Sequence, residues 1–184
     1  KPAFRDTYRD IFTFPVREYY LKAGFAFDDE PFEKPALEFI EHYTGMAGKA
    51  PLFSDVEETL ADLRFRGYRQ FILSAMEQSS LDGLVRRHGI RHYFDRISGI
   101  DDHYAHGKTD AAKALIRSLD GKSGEIVMVG DTIHDHEVGL ELGIPVVLVA
   151  RGHQSAERLR ETGRRVAADL AEVRKILQTQ IPQQ

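Results

Sequence analysis

Glu125-Ile126-Val127-Met128-Val129-Gly130-Asp131-Thr132-Ile133-His134-Asp135 is an apolar run that stops abruptly at a glycine and two aspartates. A short β-branched run without polar alternation suits a parallel strand buried on both faces, and open α/β sheets gather ligands at the carboxyl ends of such strands. Asp131 is therefore expected at a strand end. Gly130 permits a tight turn, and a helix beginning near His134 would bring the Asp135 carboxylate to the same opening. Two hard oxygen donors there suit magnesium, which takes one or two carboxylates together with water and phosphate oxygens. The other reading of these residues is an aspartate that simply caps the following helix.

The rest of the chain has to carry that strand. Its 184 residues and 42% hydrophobic content are enough for one full core, or a core with a small appendage. There is no cysteine, which excludes disulfides, thiolate metal sites and cysteine nucleophiles, and makes a reducing cytoplasm the expected location. A formal charge of -4 argues against a broad nucleic-acid footprint, because binding a phosphate backbone needs clustered Lys and Arg. No apolar run approaches the length of a membrane span and no charged-then-apolar leader opens the chain, so neither a membrane nor nucleic acid is an expected partner.

Eleven of the eighteen aromatic residues lie between Phe4 and Tyr43, mostly at helical spacing. Phe4, Tyr8 and Phe12 share one face, as do Val16, Tyr19 and Tyr20, and Leu37, Ile40 and Tyr43 mark a third helix opening near Pro31. Residues 1–48 are thus read as a small helical domain, in which an aromatic stripe is ordinarily packing. Gly45 to Pro51 reads as a hinge. From residue 49 to 184 the period changes. A Val56, Leu60, Leu63 helix ends at Gly67, and a strand at Gln70-Phe71-Ile72-Leu73 ends at Ser74-Ala75-Met76. A Leu81, Leu84, Val85 helix stops near Gly89, and Ile97 begins another strand. A polar loop from Asp101 to Lys108 precedes a helix bearing Ala112, Leu115, Ile116 and Leu119. After the Asp131 strand, a helix ends at Gly143 and Pro145 to Val149 forms a buried strand. Arg165 to Ala168 reads as an edge strand and Leu170 to Leu177 as a closing helix. Helices alternating with short apolar strands predict an α/β fold, a Rossmann-like doubly wound parallel sheet with a small helical cap domain.

Ser74, Lys108 and Asp131 each follow a strand's carboxyl end, so one pocket could gather them. A hydroxyl beside helix-start amides favours a phosphate oxygen, a lysine adds a movable positive charge, and Asp131 with Asp135 brings a metal. Taken singly, each has a plainer role as a cap or a solvated charge.

Phe71-Ile72-Leu73-Ser74, Gly107-Lys108 and Val127-Met128-Val129-Gly130-Asp131-Thr132-Ile133-His134-Asp135 together resemble the haloacid dehalogenase-like hydrolase superfamily, with most similarity to its phosphoglycolate-phosphatase-type members. The resemblance implies a magnesium-dependent phosphatase acting on a small phosphorylated metabolite. Ser74 and Ala75 would hold the phosphoryl group, Lys108 would neutralise it, Asp131 would bind Mg2+, and Asp135 would orient Lys108 and support the metal. The family's nucleophilic Asp, two residues before a second Asp, follows an apolar strand that this sequence does not contain. Asp28-Asp29 is the closest approach, but adjacent side chains point to opposite faces of a strand. The chain opens Lys1-Pro2-Ala3-Phe4 without an initiator Met, so the nucleophile strand is expected upstream. It would lie between the strands ending at Ser74 and Asp131, holding them about 10 Å apart without a direct ladder.

Two other classes remain open. A non-catalytic phosphate- or partner-binding relative would keep the pocket and lack the nucleophile. A receiver-like signalling domain also sets acids, a hydroxyl and a lysine around magnesium, but its acids come first in the chain, whereas Asp131 comes last. His103, His106, His134 and His136 flank the motifs without a ligand spacing that collects three of them, so magnesium is expected over a transition metal.

Overall fold

The computed structural model describes residues 5–29, 31–100, 108–119 and 125–180. In chain order the helices α1 (Arg5–Ile11), α2 (Val16–Lys22), α3 (Glu33–Ala47) and α4 (Val56–Phe65) precede the strand β1 (Phe71–Glu77) and helix α5 (Gln78–Arg87). Strand β2 (Arg96–Ile100), helix α6 (Lys108–Arg117), strand β3 (Met128–Gly130) and helix α7 (Ile133–Leu142) follow. Strand β4 (Val146–Val149), helix α8 (Ala156–Arg160), strand β5 (Arg165–Ala167) and helix α9 (Leu170–Gln180) complete the described chain. Contacts group it into two units, Lys1–Tyr19 with Ala112–Gln184, and Tyr20–Ala111.

In the first unit β3, β4 and β5 form a parallel sheet with β4 in the middle, in the register Met128↔Val146 and Val147↔Arg165. Every residue of β4 is buried, as expected of a parallel strand with a ladder on each side. Leu148 and Leu159 are wholly buried and pack with Val146, Met128, Ile133 and Val166. Gly143 ends α7 in the left-handed region at φ 65°, where a glycine costs least. Helix α1, which composition assigned to the helical cap, makes its contacts within this unit.

The second unit pairs β1 with β2 in parallel, Phe71↔Arg96 through Leu73↔Ser98, over a core of Leu81, Val85, Ile90 and Ile97. The buried Gln70 side-chain amide donates to the Leu60 carbonyl at 2.9 Å, tying the middle of α4 to the residue that precedes β1. Tyr20, Phe25, Phe27 and Phe32 form a separate ring cluster, with Tyr20 and Phe25 edge to face at 5.0 Å. Among the described residues no main-chain ladder joins β1 to β3, since each pairs within its own sheet.

Four expectations change. Strand β3 begins at Met128 rather than Glu125, because the Met128 amide bonds to the Pro145 carbonyl while the preceding Ile144 amide is already committed to Gly139 in the end of α7. Val129 is 40% exposed instead of buried, and among the described residues β3 has a ladder partner, β4, on one side. The expected hinge from Gly45 is helical through Ala47, a single interior glycine being a cost of about 1 kcal/mol that a fifteen-residue helix carries. Strand β1 continues past Ser74 to Glu77, with its ladder irregular between Leu73 and Glu77, so Ser74 does not stand at a helix start.

Candidate functional site

Gly130 ends β3, Asp131 follows it, and Thr132 caps α7. The Thr132 side chain accepts from the Asp135 amide at 3.3 Å, and Asp135 Oδ2 accepts from the Thr132 amide at 2.9 Å, a reciprocal capping box. The same Oδ2 also accepts from the Thr132 hydroxyl at 2.7 Å and the Asp131 amide at 3.0 Å. Asp135 is therefore both the helix cap and a buried carboxylate, only 4% exposed. A Cβ on Gly130 would come within 2.5 Å of Asp135 Oδ2, so only glycine lets the turn close over this carboxylate.

Asp131 is held from another direction. The His153 amide, in the loop after β4, donates to Asp131 Oδ2 at 2.7 Å. Gly152 makes the approach possible, because a Cβ there would lie 1.8 Å from that oxygen. Asp131 Oδ1 has no partner among the described residues. Electrostatically the turn is anionic: its amides already face a carboxylate, and Gln154 Oε1 takes the Ile133 amide at 2.7 Å. A turn whose donors are consumed in this way suits a cation better than an anion.

The residues fit a hard divalent ion through one direct carboxylate, Asp131 Oδ1, with Asp135 holding the Asp131 backbone rather than offering Oδ2 as a ligand. Among the described residues no group of three or more His, Asp or Glu side chains is arranged to hold a metal. His134 bonds to Glu137 at 3.3 Å and its ring lies 5.2 Å from Phe14, while His136 Nδ1 accepts from Arg164 Nε at 3.1 Å. Burial, then the Arg164 charge, holds the His136 pKa below its ordinary value. His103 and His106 fall outside the described residues.

Asp131 and Asp135 are brought together as the spacing implied. Ser74, Ala75 and Lys108 belong to the other unit. Ser74 Oγ accepts from the Met76 amide at 3.1 Å, which leaves its hydroxyl hydrogen for another acceptor. Ala75 is the next residue of β1, and Lys108 is the first residue of α6. The helix start expected at Ser74 is instead capped by Glu77, which accepts from the Ser79 and Ser80 amides at 2.8 Å each. Asp28 and Asp29 lie exposed in a bend and not on a strand, which removes them as a nucleophile pair.

Sequence reading missed the loop Arg151-Gly152-His153-Gln154. Its signal was present, since a buried apolar strand followed by a glycine is the pattern that singled out Gly130-Asp131. It also missed how α1 is fastened to this loop. Arg9 Nη2 donates to the Ala150 and Gln154 carbonyls at 2.6 and 3.1 Å, and Arg158 Nη1 to those of Arg9 and Phe12 at 3.1 and 2.6 Å.

A carboxylate at a parallel strand's carboxyl end, backed by a second one in the capping turn, stands where α/β folds gather their ligands. The chain belongs to the haloacid dehalogenase-like hydrolase family, which it matches over residues 3–149. It is 30% identical over 130 residues to the tyrosine-protein kinase PtkA of Mycobacterium tuberculosis, covering 68% of this chain and 45% of that protein. It is 30% identical over 118 residues to a phosphoglycolate phosphatase of Mesorhizobium japonicum, covering 62% and 52%. The chain thus spans about half the length of these curated relatives. Among solved structures, a haloacid dehalogenase-like family hydrolase of Streptococcus pneumoniae superposes with a TM-score of 0.81 at 19% identity, over 97% of this chain and 83% of that one. These neighbours share the Rossmann-like architecture, and no helix among the described residues is long and apolar enough to cross a membrane.

Proposed function

We propose that this chain is part of a magnesium-dependent phosphatase for a small phosphomonoester, working through an aspartyl-phosphate formed on an upstream strand. The observation that carries the reading is Asp131, fixed at the end of β3 by the His153 amide with one oxygen left over, in a member of a hydrolase family. Magnesium would neutralise phosphoryl charge as the leaving oxygen departs. Asp131 would hold it through Oδ1, and Asp135 would keep the Asp131 backbone in place. Ser74 and Ala75 would hold the phosphoryl oxygens and Lys108 would offset their charge. The upstream carboxylate would attack phosphorus, releasing the alcohol. Water would then cleave the acyl phosphate, returning phosphate and the free carboxylate. Cytoplasmic location belongs to the same proposal.

The test is hydrolysis of para-nitrophenyl phosphate by the intact protein, with magnesium and with chelator. Metal-dependent turnover lost in Asp131→Asn supports the reading, and metal-independent turnover or none refutes it. The relation to PtkA favours one second reading, in which a tyrosine hydroxyl replaces water as acceptor. Phosphotyrosine formed from a nucleoside triphosphate, in place of free phosphate, would select it.

A further inference from the structure

Residues 153–155 form a clip with two sides. On one side the His153 amide holds Asp131 Oδ2 and Gln154 Oε1 holds the Ile133 amide. On the other, the Ser155 backbone amide donates to the Arg9 carbonyl at 3.3 Å and Gln154 Nε2 donates to the Phe12 carbonyl at 3.0 Å. Gln154 is only 2% exposed and serves stability, whereas the His153 side chain is exposed and contributes little to a core. Yet its ring is fixed on two faces of its own. Nδ1 is hydrogen-bonded to the Tyr8 hydroxyl, and the ring stacks on Phe12 with centroids 4.6 Å apart and planes 21° from parallel. The backbone N–H of this doubly held residue is the one that meets Asp131 Oδ2.

We propose that His153 is a positioning residue for the metal site, through which Tyr8 of α1 and Phe12, just after that helix, set the orientation of Asp131. The inference rests on the reading of Asp131 as the magnesium ligand. Loss of the ring keeps the His153 backbone N–H in the chain but lets it shift, so the bond to Oδ2 loosens and Oδ1 is no longer presented in one direction. Partners at this distance from a metal tune affinity about tenfold or more without touching the ion. The connection makes α1 part of the metal site's support.

The test is calorimetric titration of the intact protein with Mg2+ alone, alongside thermal melting without metal. His153→Ala is expected to bind about tenfold more weakly and Tyr8→Phe about threefold, with the double variant no weaker than His153→Ala and metal-free melting unchanged. His153→Asn, which keeps a polar atom where Nδ1 stood, should recover most of the affinity. Native affinity in both single variants, while Asp131→Asn abolishes binding, overturns the inference alone, as do losses that add in the double variant or an Asn variant no better than Ala. Native affinity in Asp131→Asn removes the metal reading itself, and the inference falls with it.

Discussion

Gly152 faces Asp131 so closely that a Cβ at residue 152 would stand 1.8 Å from Oδ2 and 2.4 Å from Cγ. No rotamer of alanine relieves that overlap, because the Cβ position is set by the backbone. Either the loop after β4 or the carboxylate must move. On the proposal that Asp131 holds Mg2+, Gly152→Ala should weaken its binding by about tenfold or more, while leaving the buried strand β4 and its packing in place. Calorimetric titration checks this, and unchanged affinity would show that Asp131 does not hold the ion.

Asp135 serves three donors with one oxygen, the Asp131 and Thr132 amides and the Thr132 hydroxyl. Asp135→Asn retains an acceptor and loses only the charge at the first turn of α7, a cost of about 1 kcal/mol. Asp135→Ala strands the donors in a buried turn, at about 3 kcal/mol. Urea denaturation of both variants gives the order. An alanine variant as stable as the asparagine one would mean that the turn rearranges to find other acceptors.

Gln154 joins the Phe12 carbonyl to the Ile133 amide. Phe12 keeps Arg158 as a donor when the amide is removed, but Ile133 loses its acceptor. Gln154→Leu should cost about 2 kcal/mol for one orphaned buried group and should speed hydrogen exchange at the Ile133 amide. Unaltered exchange there would indicate that the helix start finds another acceptor.

What was legible in the sequence was local. The unbroken Val146-Val147-Leu148-Val149 run, the Gly143 stop and the Gly130-Asp131-Thr132 turn each announce themselves within a few residues, because one element's periodicity or one cap creates the signal. The docking of α1 was not legible, since Arg9 and Arg158 act on carbonyls more than a hundred residues away and carry no pattern of their own. Helix α8, five residues long, is too short for a periodic stripe. Glu77 carries no cap signal in the sequence, since Glu is not among the preferred N-cap types, yet it is the residue that reaches the helix amides. Val129 reads as buried from composition alone, and its exposure depends on a strand's neighbours, which composition does not state.

Glu77 gives a prediction about acid. Its carboxylate accepts from the Ser79 amide and hydroxyl and from the Ser80 amide, and these bonds, the Ser79 amide foremost, hold its pKa down to about 2 from 4.5. A carboxylate with a depressed folded pKa binds protons more readily when unfolded, so its contribution is complete above the unfolded value and disappears as pH falls toward the folded one. Glu77→Gln should thus be less stable than the native protein at neutral pH, with the gap narrowing between pH 4.5 and about 2. Asp95, lowered chiefly by its bond from Arg69, titrates at the acid end too, but it is present in both proteins and cancels in the difference. Denaturation of the pair at a series of pH values isolates Glu77. A gap that stays constant through that window would mean that the glutamine caps α5 in the same way and that the charge contributes nothing.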